Sequence, residues 1–247
     1  MDARVKPKAL RRFEREIDFL RRRLSPEGAF GLHLTLGLLI MLVGFWCFAE
    51  IAEDLKPGAA IAFQDEQVTN WCHAHASPQI TRAARIGTTF GSIGFLSVAS
   101  AICALALLRA RAWDRLLALA CTMIGGSLLN IALKHFFQRQ RPVLENPLVT
   151  LTSYGFPSGH AMGATLLYGL LALFAVSSFR SGAKRVLAAV FAVVLILMIG
   201  LTRIYLGAHY LTDVLGAFAA GAVWLAFSWT AAETLRKRRH RPSAAGR

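Results

Sequence analysis

The sequence predicts an all-α protein, a bundle of six transmembrane helices with an N-terminal amphipathic helix lying at the membrane interface. Three observations point there. The 247 residues are 55% hydrophobic with a mean hydropathy of +0.47, too apolar for a domain that must keep a polar surface in water. Charge-free apolar runs of bilayer-spanning length recur along the chain. The net charge of +14 gathers before the first run, after the last and in alternate connections, all on one side.

Segment 1–28 is basic. From Pro7 to Leu24, the residues Leu10, Phe13, Ile17, Leu20 and Leu24 recur at steps of three and four with arginines between them. An apolar stripe backed by a basic face predicts a helix on the inner leaflet, touching anionic lipids. Segment 29–232 carries the spans, at about Leu32 to Ala49, Phe90 to Leu108, Leu116 to Leu133, Ala161 to Phe179, Val186 to Thr202 and Tyr210 to Thr230. Each is near the roughly 20 residues a bilayer requires. The first follows a basic segment too long for a signal peptide and lacks a small-residue cleavage site, so it is expected to stay as a span. Segment 233–247 is a basic tail, expected to be disordered from Arg236 on. Among the glycines, Gly125, Gly126, Gly163, Gly216 and Gly221 fit helix-contact points. Cys47, Cys103 and Cys121 lie in apolar runs and read as packing residues, whereas Cys72 stands in a connection without an obvious disulfide partner.

Basic residues fix an orientation. Arg4, Lys6, Lys8, Arg11, Arg12, Arg15 and Arg21 to Arg23 precede the first span; Arg109, Arg111 and Arg115 join the second and third; Arg180, Lys184 and Arg185 join the fourth and fifth; Arg236 to Arg241 follow the last. All fall on one side of a six-span chain, which makes that side cytoplasmic, with both termini there and the protein in the inner (plasma) membrane. The other side faces the periplasm or exterior and holds the two long connections. Ala52 to Thr89 holds the acids Glu53, Asp54, Asp65 and Glu66 with Phe63, Val68, Trp71 and Ile80 and fits short helices on the membrane; Gln138 to Phe156 contains Pro142, Pro147 and Tyr154-Gly155-Phe156 and fits a cap. Nucleic acid is excluded as a partner, because the positive charge sits in cytoplasmic flanks without an aromatic-basic recognition module.

Three clusters remain, all at the outer ends of spans: Lys134 with Arg141-Pro142, Pro157-Ser158-Gly159-His160, and Arg203 with His209 and Asp213. Lys134, Arg141 and Arg203 can surround phosphoryl oxygens, where transition-state charge resides. Ser158 and Gly159 follow a proline and open an apolar run, so their N–H groups can point from a helix N-terminus at the same anion. His209 and Asp213 are one helical turn apart, which lets the carboxylate hold one imidazole nitrogen and leave the other as a nucleophile. His160 then serves as general acid, and later as base. A buried ion-pair network that only holds helices together would not need two histidines and a helix-opening Ser-Gly. His33, His73, His75, His135 and His240 form no metal constellation, and neither a metal nor another cofactor is expected.

In order and spacing, Lys-x6-Arg-Pro, Pro-Ser-Gly-His and Arg-x5-His-x3-Asp resemble the signature motifs of the type 2 phosphatidic acid phosphatase (PAP2) superfamily, in its integral-membrane bacterial branch. The motifs span 134 to 213. One departure is Thr202, where the family usually has serine; the hydroxyl is kept. The resemblance implies phosphate binding by Lys134, Arg141, Ser158, Gly159 and Arg203. It implies attack by His209, oriented by Asp213, with His160 as the acid. The expected activity is metal-independent hydrolysis of a membrane lipid phosphate or diphosphate through a phosphohistidine; undecaprenyl diphosphate, phosphatidate, phosphatidylglycerol phosphate and lipid A phosphate are candidates, with a lean toward the first. The alternatives are a lipid phosphotransferase using the same intermediate, a vanadate haloperoxidase, and a non-enzymatic lipid transporter or scaffold. No obligate protein partner is inferred.

Overall fold

The computed structural model describes residues 32–55, 60–144, 148–149 and 151–239. The predicted interfacial helix in 1–28 and the last residues of the tail lie outside them. Among the described residues every regular element is helical: α1 (Leu32–Glu53), α2 (Ala60–Ala74), α3 (Pro78–Thr89), α4 (Ile93–Arg109), α5 (Trp113–Ala120), a π-turn (Cys121–Gly125), α6 (Gly126–Phe137), α7 (Gly159–Ser178), α8 (Gly182–Tyr205) and α9 (Leu211–Arg239).

Among the described residues six stretches are long and apolar enough to cross a membrane: Leu34–Glu53, Pro78–Arg109, Trp113–Phe137, Gly159–Ser178, Gly182–Tyr205 and Leu211–Arg238. The chain is a multi-pass membrane protein of the expected class. Two boundaries differ from the sequence reading. The second span begins at Pro78, because α3 runs almost directly into α4. Ser77 caps α3 by accepting from Ile80 N with Pro78 in the first turn, and Ser92 caps α4 by accepting from Phe95 N at 3.3 Å, so the connection at Phe90–Ser92 is a bend rather than a loop. The tail is also more ordered than expected, since α9 stays helical to Arg239. Glu233 and Arg236, three apart and 2.7 Å between charged atoms, support that last turn.

The most enclosed helix is α7, whose Ala161, Met162, Ala164, Leu166, Leu167 and Leu170 are all buried. It packs on α8 and α9, and α9 lies along α1. In lipid, helix association depends on close packing rather than on escape from water, so small residues mark the contacts. A side chain at Gly163 would meet Leu96 at 2.6 Å and one at Gly221 would meet Thr165 at 3.0 Å; Gly125 faces Trp224, Gly126 faces Leu166, and Gly216 faces Phe156. At the π-turn Trp224 Nε1 donates to Cys121 O at 3.2 Å. Outward faces are apolar, as lipid contact demands: Leu38, Leu42, Phe45 and Trp46 on α1, Leu187, Phe191 and Val194 on α8.

Candidate active site

All three clusters meet at one end of the bundle, where α6 and α8 end and α7 and α9 begin. The local chain geometry explains their spacing. At the end of α6, Gln138 adopts the left-handed conformation (φ +46°) and donates its N–H to Lys134 O, which turns the chain so that Arg139 and Arg141 re-enter the site. At the end of α8, Gly207 has φ +67°, a conformation that favours glycine. The reversal there lets Ala208 N and His209 N donate to Arg203 O at 3.1 and 3.3 Å. Arg203 and His209 are thus brought together by one helix-terminating turn.

His209 is 2% exposed and Asp213 is fully buried. Nδ1 of His209 lies 3.2 Å from Asp213 Oδ2, and its Nε2 lies 3.0 Å from Nη1 of Arg141. A guanidinium only donates. Nε2 is therefore the accepting lone pair, and Nδ1 carries the proton given to the carboxylate. Burial pushes His209 down to about 4; Asp213 opposes this and Arg141 and Arg203 add to it. The ring is neutral at physiological pH, with its free lone pair turned toward the cations. His209 itself precedes α9, so the four-residue spacing works across a helix start rather than inside a helix, and Asp213 Oδ2 also accepts from Tyr210 N at 3.0 Å.

The cations converge. Lys134 Nζ donates to Tyr154 O at 2.6 Å. Arg141 donates to Ser153 O and Ala208 O, each at 2.6 Å, and to Tyr154 O at 3.3 Å; burial lowers its proton affinity, with Asp213 opposing. Arg203, 4% exposed, donates from Nη1 to Thr88 Oγ1 at 2.9 Å. His160, in the first turn of α7, lies within electrostatic reach of Arg203, His209, Arg141 and Lys134. Of the connection expected to form a cap, the described stretch 151–156 supplies carbonyls of Ser153 and Tyr154 that hold two of these cations. It is anchored by Phe156, fully buried against Phe48 and Phe137 with ring centroids 5.6 and 4.9 Å away.

One expectation needs correcting. Ser158 N–H is not free to point at an anion, because it donates to Asp213 O at 3.0 Å and ties the start of α7 to the start of α9. The Ser158 hydroxyl is buried without a partner among the described residues, and Gly159 opens α7 beside Asn130.

The sequence reading missed Asp65, Arg139, Thr212 and Thr88. Arg139 bridges two buried carboxylates, Asp213 Oδ1 and Asp65 Oδ2, each at 2.7 Å, and stacks over Tyr210 at 4.7 Å. Asp65 comes from α2 and also accepts from the backbone and hydroxyl of Thr212. The only signal in the sequence was the closeness of Arg139 to Arg141. His75, by contrast, is taken up locally, donating to Trp71 O at 2.9 Å and stacking on its ring. Among the described residues no group of three His, Cys, Asp or Glu could hold a metal ion.

From Gly159 and Asn130 a cleft of about 560 Å³ extends between α4, α6 and α7, past Leu96, Ser97, Ser100 and Leu166. It links the site laterally with the apolar flank of the bundle.

The PAP2 superfamily model matches residues 115–237, the segment that contains all three clusters. Over 115 residues the chain is 41% identical to phosphatidylglycerophosphatase B of Bacillus subtilis (strain 168), covering 45% of this chain and 54% of that protein. The chain thus spans about half the length of that curated relative. A crystal structure described as the first transmembrane PAP2 type phosphatidylglycerolphosphate phosphatase from Bacillus subtilis superposes with a TM-score of 0.72 at 28% identity, over 82% of this chain and 98% of that one. The crystal structure of Aquifex aeolicus LpxE shares the fold, with a TM-score of 0.51 at 23% identity, over 66% of this chain and 93% of that one.

Proposed function

Because the chain belongs to the PAP2 superfamily through residues 115–237, we propose that it is a membrane lipid phosphatase working through a phosphohistidine. The observation that carries this is the His209 ring, whose Nδ1 is held by Asp213 and whose Nε2 meets Arg141. In the first step Nε2 attacks phosphorus while Lys134, Arg141 and Arg203 take the charge of the phosphoryl oxygens, aided by Ser158 and Gly159. The bond from phosphorus to the lipid oxygen breaks, and His160 gives that oxygen its proton. In the second step a water attacks phosphorus, His160 recovers a proton from it, and the Nε2–P bond breaks to release phosphate.

The substrate class follows from placement. A site at the end of the spans with a lateral cleft suits an amphiphile whose phosphate enters while its chains stay in the bilayer. We place phosphatidylglycerol phosphate ahead of undecaprenyl diphosphate, in view of the name of the 41% identical relative and of the serines and Asn130 that line the cleft, which suit ester groups. The basic flanks in the sequence support a reading with both termini in the cytoplasm and the site outside. The test is phosphate release by purified protein across lipid monophosphates and diphosphates. His209→Ala should lose at least about a thousand-fold in kcat while remaining folded; appreciable turnover in that variant would reject the assignment. Phosphorylation of an added alcohol instead of phosphate release would make it a transferase.

A further inference from the structure

We propose that Asp65, which lies outside all three motifs, is a positioning residue for phosphoryl transfer: by neutralising Arg139 it leaves Asp213 its negative charge for His209. This rests on the phosphatase reading above. Arg139 divides itself between the two acids, Nη1 to Asp213 Oδ1 and Nη2 to Asp65 Oδ2, both at 2.7 Å. Nη1 also donates to Thr212 Oγ1 at 2.6 Å, and the same hydroxyl donates to Asp65. Asp65 is 1% exposed and Asp213 fully buried, so their charges act on one another with little solvent between.

Two carboxylates and one guanidinium sum to a single negative charge at the N-terminus of α9, the positive end of its dipole. Were Asp65 neutral, Arg139 would cancel Asp213. As Nε2 bonds to phosphorus, the imidazole acquires positive charge, and a net negative partner at Nδ1–H stabilises that state. A cap for α9 would need only one Asp65 oxygen, the one that accepts from Thr212 N at 3.0 Å. The second oxygen is committed to Arg139.

The roles of cap and counter-charge separate in variants of the full chain in detergent, assayed with dioctanoyl phosphatidate. Removing one charge about 10 Å from His209, at an effective dielectric of about 20, is worth roughly a factor of ten. Asp65→Asn is therefore expected to lower kcat about ten-fold with KM changed less than about two-fold. The double variant Asp65→Asn/Arg139→Gln removes both charges and restores the net charge, so it should recover to within about three-fold of wild type. Asp65→Glu keeps the charge and should also stay within about three-fold. An independent readout is the downfield Nδ1–H proton resonance of His209, which should move upfield in Asp65→Asn and return in the double variant, whether or not the lipid is turned over. A double variant that is folded but no faster than Asp65→Asn, or an unmoved resonance, overturns the proposal. If Asp65→Asn does not fold, the folded double variant decides alone, activity near wild type supporting the charge balance and a ten-fold loss rejecting it. Wild-type protein inactive on every lipid would sink the phosphatase reading, while the resonance would still settle the role of Asp65.

Discussion

Arg203 depends on a residue that none of the motifs contains, and Thr88→Val measures how much. Its guanidinium is almost wholly enclosed at 4% exposure, Nη1 reaches Thr88 Oγ1 at 2.9 Å, and Nε is buried without a partner among the described residues. Valine matches threonine in shape and replaces the hydroxyl, which accepts from Arg203, with a methyl group. A hydrogen bond to a charged group contributes about 1.5–3 kcal/mol. If that energy serves to aim Arg203 at the phosphoryl group, its loss is a factor of about 10 to 100 in kcat/KM. We expect about the lower end, because the freed guanidinium can rotate toward another oxygen. The assay is initial-rate phosphate release with melting temperature in the same detergent, and Thr88→Ser as the control that keeps the hydroxyl. A folded Thr88→Val protein within two-fold of wild type would refute the reasoning.

Acid should destabilise the fold through His209. Its folded pKa is pushed down to about 4 by burial, below an unfolded value near 6.5, so the unfolded chain takes up the proton first as pH falls. That stability is intact above about pH 6.5 and lost between there and about 4, roughly 3 kcal/mol in all; denaturation at stepped pH checks it, and stability that rises on acidification would contradict it. Gly216→Val would drive a side chain into the buried Phe156 ring, costing about 1–3 kcal/mol and slowing turnover by shifting the loop ahead of Ser158. Gly182→Ala, with open space around it, should melt at or slightly above wild type. If Lys134, Arg141 and Arg203 supply the positive charge, as proposed, activity should persist in EDTA. A strict magnesium requirement for phosphate release would count against the cation clamp.

Spans and motif residues were legible for different reasons. A bilayer imposes length and apolarity, so runs such as Val186 to Thr202 announce themselves without neighbours. The motif residues are fixed by local turns: Gly207 brings His209 N onto Arg203 O, and beyond the turn at Gln138 both Lys134 and Arg141 donate to Tyr154 O. Those relations lie within a few residues and leave a spacing in the sequence. Asp65 leaves none. Its partner Arg139 is 74 residues away, and an acid in an outer connection looks the same whether it is solvated or buried. The Ser158 amide was misjudged on similar grounds, since its acceptor, Asp213 O, comes from the start of another helix.

The matched segment 115–237 contains all three clusters, and its own residues satisfy them only in part. Arg203 finds its acceptor on α3, Arg139 its second carboxylate on α2, and Phe156 its ring partner Phe48 on α1. Each of these N-terminal contacts falls on a charged group or on the loop leading to Ser158. The division is what the physics of a buried phosphate site requires. A cluster of cations concentrated enough to hold a phosphoryl group repels itself, and its members stay charged and aimed only if outside groups accept their hydrogen bonds. If α2 and α3 exist chiefly to do this, their faces toward α8 and α9 are constrained by chemistry, while their outward faces, with Phe63, Trp71 and Ile86 exposed, are constrained only by lipid and water.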